Sequence, residues 1–211
     1  MSTAATSARL SLLQRGLRLE YLTIGWNLVE GALAVTAAVV AGSVALLGFG
    51  IDSFVESASG SVLVWRLRAE AAGDQDEEAI ERIERRAERL VGGSFFALAA
   101  YIAFDAVTTL ISQERPDASP LGIGVTAVSI GVMLWLARAK RRTAAELGSR
   151  ALAADAEQTQ ACWYLSVVVL VGIGLNALFG WWWADPLAAL GVTVILLREG
   201  REAWSGEDHN G

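Results

Sequence analysis

Gly48-Phe49-Gly50-Ile51-Asp52-Ser53-Phe54-Val55-Glu56-Ser57-Ala58-Ser59-Gly60 decides the reading of this chain. It lies inside a long apolar run, yet it holds two acids four residues apart. On a helix that spacing puts both carboxylates on one face, one turn apart. An acid at the centre of a bilayer costs about 2.5–3.5 kcal/mol on insertion scales, so such residues face a cavity or a partner. Ser53, Ser57 and Gly60 let a neighbouring helix come close. The paired carboxylates therefore read as a candidate cation site.

Working outward, the apolar residues of the 211-residue chain fall into blocks of about 20, the length that spans a bilayer. The spacing predicts an all-α, polytopic membrane protein with six transmembrane helices. Helix 1 is expected over about 20–41, helix 2 over 44–67 and helix 3 over 90–112, the last continuing from a charged amphipathic segment. Helix 4 is expected over 120–137, opened by Ser119 as N-cap and Pro120 at the first helical position. A long helix 5 is expected over 144–178, and helix 6 from Asp185-Pro186, which repeats the cap-plus-proline signal, to about 198. Residues 1–19 read as a cytoplasmic or interfacial segment, 20–203 as the membrane domain and 204–211 as a polar tail.

Basic residues fix the expected orientation. Arginine and lysine crowd the N-terminus, the 2–3 link, the block Arg138-Ala139-Lys140-Arg141-Arg142 read as the 4–5 loop, and the C-terminus. The 1–2 and 5–6 turns have none, and the 3–4 loop has only Arg115. Both termini are thus expected in the cytoplasm, in a multi-pass protein of the cell membrane. Trp181-Trp182-Trp183 reads as a marker of the membrane–water interface. The net charge of −6 and the lack of a basic patch argue against nucleic acid as a partner. The single cysteine, Cys162, rules out an intramolecular disulfide. No nucleophile–base pair, phosphate loop or metalloprotease motif points to an enzyme, and no cofactor is expected. The acidic run 74–78 and His209 read as solvated segments.

The chain also echoes itself. Gly42-Ser43-Val44-Ala45-Leu46 returns as Gly148-Ser149-Arg150-Ala151-Leu152. Ten residues on from each glycine stand Asp52 and Gln158, and fourteen on stand Glu56 and Cys162. Inverted repeats with a site at mid-depth are a common transporter design.

Three stretches carry a family resemblance: Gly42 through Glu56, Ser149 through Cys162 with Asp155 inside it, and Trp183-Ala184-Asp185-Pro186-Leu187. Together they resemble the transmembrane domain of the cation diffusion facilitators, six-helix metal-ion/proton antiporters. The resemblance implies one divalent cation held by two residues of helix 2 and two of helix 5. Carried over, Asp52 and Glu56 match the helix 2 positions, while Gln158 and Cys162 stand where the family has an acid or histidine followed by Asp. Asp155, or Glu30 of helix 1, or Asp105 of helix 3, can supply the missing charge. Oxygen donors of this kind suit Mn²⁺ better than a tetrahedral zinc site, with Zn²⁺, Co²⁺, Cd²⁺ and Fe²⁺ also in view. The resemblance further implies a proton counter-ion and a homodimer in the lipid bilayer, and a divergent member without the usual soluble domain after helix 6. Two other readings stay open: a non-transporting membrane subunit that kept the fold, and a transporter of an organic or monovalent cation.

Overall fold

The computed structural model describes residues 3–72 and 77–205, and they form six α-helices. These are α1 (Thr3–Ala41), α2 (Val44–Ala72), α3 (Glu77–Ser112), α4 (Pro120–Leu147), α5 (Arg150–Phe179) and α6 (Ala184–Ser205). The expected helix count and the all-α class hold. Asp74, Asp76 and His209 lie outside the described residues, and nothing is described of the side chains of the amphipathic stretch before α3 enters the apolar block.

Several boundaries differ from the sequence reading: α2 runs on to Ala72 and α6 to Ser205, and three others differ for local reasons. α1 begins at Thr3 and runs unbroken, since no glycine or proline interrupts it before Gly16, and Gly16 packs against Leu67 and Leu152. The basic block 138–142 is not a loop: it forms part of α4, which runs on to Leu147. α5 accordingly starts at Arg150 rather than near 144. The break falls at Gly148, whose φ of 69° is the left-handed conformation that glycine adopts without penalty. Ser149 then caps α5 by accepting from the Leu152 amide at 3.3 Å.

The internal echo is this turn made twice. Gly42 also has φ 69°, and Ser43 accepts from the Leu46 amide at 3.1 Å. In both copies the serine amide reaches back to the carbonyl five residues earlier, Ser43 to Ala38 and Ser149 to Ala144, at 3.1 Å each. That bond closes a Schellman motif, so each five-residue repeat encodes one tight helix–helix turn.

Ser119 caps α4 as expected, accepting from the Gly122 amide at 3.1 Å. Asp185 does not cap its own helix. Its carboxylate accepts from Ser43 Oγ at 2.5 Å and from the Val44 amide at 3.0 Å, so it closes the start of α2. α6 begins one residue earlier, at Ala184, which places Asp185 inside the first turn and aims it across the turn end of the bundle.

Neighbouring helices close a ring in the order α1, α2, α3, α6, α5, α4, and α2 also meets α5 across the interior. Four helices carry segments long and apolar enough to cross a membrane, in α1, α3, α4 and α5. α2 falls short on composition because it carries acids, serines and glycines, and α6 because Asp185 at its start and the charged run Arg198–Glu202 leave too short an apolar stretch. Val39, Phe104, Ile111, Leu178 and Val194 are at least two-thirds exposed on the outside, as a lipid-facing surface requires. One apolar core, with Leu46, Phe49, Ile102, Val169 and Val192, fills the end with the α1–α2 and α5–α6 turns. A smaller one, with Leu13, Leu63, Leu67, Leu147 and Leu152, fills the end with the α4–α5 turn. Buried polar residues occupy the layer between them.

Candidate cation site

α2 brings Asp52 and Glu56 into that polar layer, and both are almost fully buried. Burial of two acids one turn apart is costly unless partners meet them. α5 supplies those partners from one face. Cys162 Sγ donates to Asp52 Oδ2 at 3.2 Å. Thr159 Oγ1 lies 3.0 Å from Glu56 Oε1 and also 3.0 Å from the backbone oxygen of Asp155, so its single proton serves one of them at a time. The pairing is crosswise, as antiparallel helices demand: the earlier acid of α2 meets the later residue of α5.

The structure therefore brings Asp52, Glu56 and Cys162 together. Gln158 is half-buried on α5 and turned to Ser59, whose Oγ donates to its Oε1 at 3.1 Å. Asp155 is on the same face of α5 but points its carboxylate to Lys140 Nζ at 2.5 Å. Glu30 of α1 is buried and accepts from Ser129 Oγ of α4. Asp105 is half-buried on α3 and takes no part in this network.

Two contributors were not foreseen. Lys140, read as part of a basic loop, is fully buried in α4. Its Nζ bonds Asp155, Glu20 Oε2 at 3.1 Å and Thr159 Oγ1 at 3.1 Å. Its neighbours Arg138, Arg141 and Arg142 are exposed, and Lys140 is the one member of the block that falls in register with buried Met133, Leu136, Ala137 and Ala144. Helical periodicity continued past 137 would have singled it out. Thr159 gave no signal beyond its place four residues after Asp155.

Glu56 Oε2, Glu30 Oε2 and both side-chain amide atoms of Asn27 are buried with no hydrogen-bond partner. Unpaired buried oxygens of this kind are available to a cation or to water. Among the described residues, no three His, Cys, Asp or Glu side chains stand ready as a metal cage. The carboxylates are held apart by hydrogen bonds to α5, so an ion between α2 and α5 would have to take over those bonds.

Residues 21–205 match the profile of the cation efflux transmembrane domain. An uncharacterized transporter of Synechocystis is 33% identical over 191 residues, covering 88% of this chain and 58% of the relative. A cation-efflux pump of Salmonella arizonae is 27% identical over 189 residues, covering 83% of this chain and 63% of the relative. A cation-efflux pump of Salmonella typhi is 28% identical over 158 residues, covering 74% and 52%. The chain thus spans between about half and two-thirds of the length of these relatives.

Proposed function

Since this chain belongs to the cation efflux family of multi-pass membrane transporters, we propose that it exports a divalent metal cation from the cytoplasm in exchange for protons. The ion binds between α2 and α5. Asp52 and Glu56 are its principal ligands and Cys162 is the α5 donor already bonded to Asp52, while Gln158 and Asp155 are further α5 donors that would have to leave Ser59 and Lys140 to join them. One observation carries this reading: two buried carboxylates, one turn apart, face the second helix of an inverted pair, and one carboxylate oxygen, Glu56 Oε2, has no partner. The donors are mostly oxygen, which favours Mn²⁺ over ions that need several soft or imidazole ligands. Proton exchange follows from the burial. A desolvated carboxylate pair without a cation favours a bound proton, and an arriving cation displaces it. Alternating access rocks one helix group against another about the site, in a homodimer whose termini face the cytoplasm.

The test is ion-dependent proton movement in proteoliposomes, screening Mn²⁺, Zn²⁺, Co²⁺, Cd²⁺ and Fe²⁺. Movement with at least one ion, abolished by Asp52→Asn, is expected. Flux that survives Asp52→Asn would sink the site assignment. The lack of a ready three-ligand cage among the described residues favours a second reading, a membrane subunit that kept the fold without transport. It requires no flux for any ion and no effect of Asp52→Asn.

A further inference from the structure

Lys140 is the one ammonium in the polar interior, and its surroundings are those of a bound cation. Three side-chain oxygens from three residues converge on Nζ: Asp155 Oδ2 at 2.5 Å, Glu20 Oε2 at 3.1 Å and Thr159 Oγ1 at 3.1 Å. All four residues are at least nine-tenths buried. Divalent cations bind oxygen at about 2.0–2.6 Å, so the Glu20 and Thr159 oxygens need to close in by about 0.5–1.1 Å, and Asp155 by less, to hold one in place of the ammonium. Glu20 Oε1 has no hydrogen-bond partner and adds a free acceptor to the same cluster.

The cluster lies in line with the proposed cation site. Asp155, Thr159 and Cys162 follow at intervals of four and three along one face of α5, so they form a ladder about 10 Å long at 1.5 Å per residue. Lys140 and Asp155 make its rung nearest the α4–α5 turn. Thr159 is the shared rung, touching both Lys140 and Glu56, and Cys162 with Asp52 makes the far rung. A cation moving to Asp52 and Glu56 from the α4–α5 end meets the ammonium first.

We propose that Lys140 is a tethered cation: its ammonium occupies an ion position formed by Glu20, Asp155 and Thr159, and an ion on its way from the α4–α5 end must displace it. The route to Asp52 and Glu56 rests on the transport reading; the ion position itself does not. Lys140 acts here as a positioning residue. By filling this position it keeps a second ion from being trapped beside the first and ties α1, α4 and α5 together while the site at Asp52 and Glu56 is empty.

The experiment compares purified wild-type protein, Lys140→Met and Lys140→Met/Glu20→Gln/Asp155→Asn in detergent. It reads Mn²⁺ bound per chain by loss of the free-ion paramagnetic signal, and thermal stability with and without Mn²⁺. Lys140→Met is expected to bind one more ion than wild type and to melt lower without Mn²⁺, regaining stability when it is added. The charge-neutral triple variant is expected to lose both the extra ion and the rescue. A Lys140→Met protein that folds only when Mn²⁺ is present supports the proposal by the same logic. Equal ion counts in wild type and Lys140→Met would overturn it, as would a Lys140→Met protein that Mn²⁺ cannot rescue although the triple variant folds. The failure of the transport reading looks different: wild type then binds no ion, while the extra ion of Lys140→Met still appears.

Discussion

Residue-scale chemistry is concentrated on one face of α5. Among the described residues, Thr159 alone touches both the Lys140 cluster and Glu56. Thr159→Val keeps the shape and removes the hydroxyl, which leaves Glu56 Oε1 as a second unpaired buried oxygen beside Oε2. The expected cost is about 1–3 kcal/mol, read as a lower melting temperature in detergent. Thr159→Ser keeps the hydroxyl and is expected to stay near wild type; equal loss in both variants would mean that the methyl contact, not the hydrogen bond, matters. Cys162 invites a different substitution. Its thiol donates to Asp52 Oδ2, and a serine hydroxyl can do the same. Cys162→Ser is therefore expected to preserve Mn²⁺-dependent flux and to lower flux of Cd²⁺, which prefers sulfur. Uniform loss across all ions would show that sulfur is needed for the site itself. The two α2 acids are legible in the sequence because an acid inside an apolar block is too costly to stand there without a partner or a ligand. Lys140 is hidden because it stands in a run of four basic residues within five positions, where charge density suggests a solvated loop. Only the continued helical register separates the one buried member from the exposed three.

Elements are joined here by turns and by close backbone crossings. Gly31 and Gly50 mark where α1 and α2 press together: a Cβ on Gly31 would stand 2.9 Å from the Gly50 backbone oxygen, and one on Gly50 would stand 2.9 Å from the Val35 amide nitrogen. Backbone cannot yield as a side chain can, so the helices must part. Gly50→Ala is expected to destabilise by about 1–3 kcal/mol, the usual cost of overpacking. Gly25→Ala on the same α1 is the matched control. No atom lies within 4 Å of its Cβ, and the gain in helix propensity is about 1 kcal/mol in its favour. Melting temperatures that move in opposite directions would confirm the crossing; a neutral Gly50→Ala would refute it. Asp185 makes the second joint, closing α2 from the first turn of α6. Asp185→Ala is expected to cost about 0.5–2 kcal/mol by loss of a cap, and Asp185→Asn less, because the amide oxygen still accepts. The sequence points to a cap at this residue, but for the wrong helix. Local pattern identifies a capping side chain and its chain neighbours, whereas the amide that Asp185 satisfies lies 141 positions away. The α4–α5 boundary is misplaced for a related reason. Gly42-Ser43 reads as a turn in the sequence and Gly148-Ser149 is visible as its echo, yet the echo draws the eye to its polar positions, and the second copy's turn shows in the positive φ of Gly148.

The whole molecule is long at one end. α1 has 39 residues, about 58 Å at 1.5 Å per residue, against a hydrocarbon core of about 30 Å. The apolar stretch near Ala41 ends at the turn with α2, so the excess projects at the α4–α5 end. There Arg9 pairs with Glu70 at 2.6 Å and Arg15 with Glu146 at 3.5 Å, which clips the projecting part of α1 to the ends of α2 and α4. Exposed pairs contribute little energy singly, but these two join three helices at one end of the bundle. Lys140 must be removed from the positive-inside count, since it is buried in the interior. The asymmetry survives that correction: Arg9, Arg15, Arg18, Arg66, Arg68, Arg138, Arg141, Arg142, Arg198 and Arg201 stand toward one end, and among the described residues Arg115 is the basic residue at the other. Six passes return the chain to the side on which it started. Both termini are therefore expected in the cytoplasm. Fluorescent-protein fusions at either terminus should fluoresce, and alkaline phosphatase fused after Arg115 should be active in the periplasm of a bacterial host. Active phosphatase at the C-terminus would reverse the orientation. It would also turn the Lys140 cluster from the cytoplasmic rung of the pathway into the outer one, so that the tethered ammonium would oppose re-entry of the ion instead of admitting it.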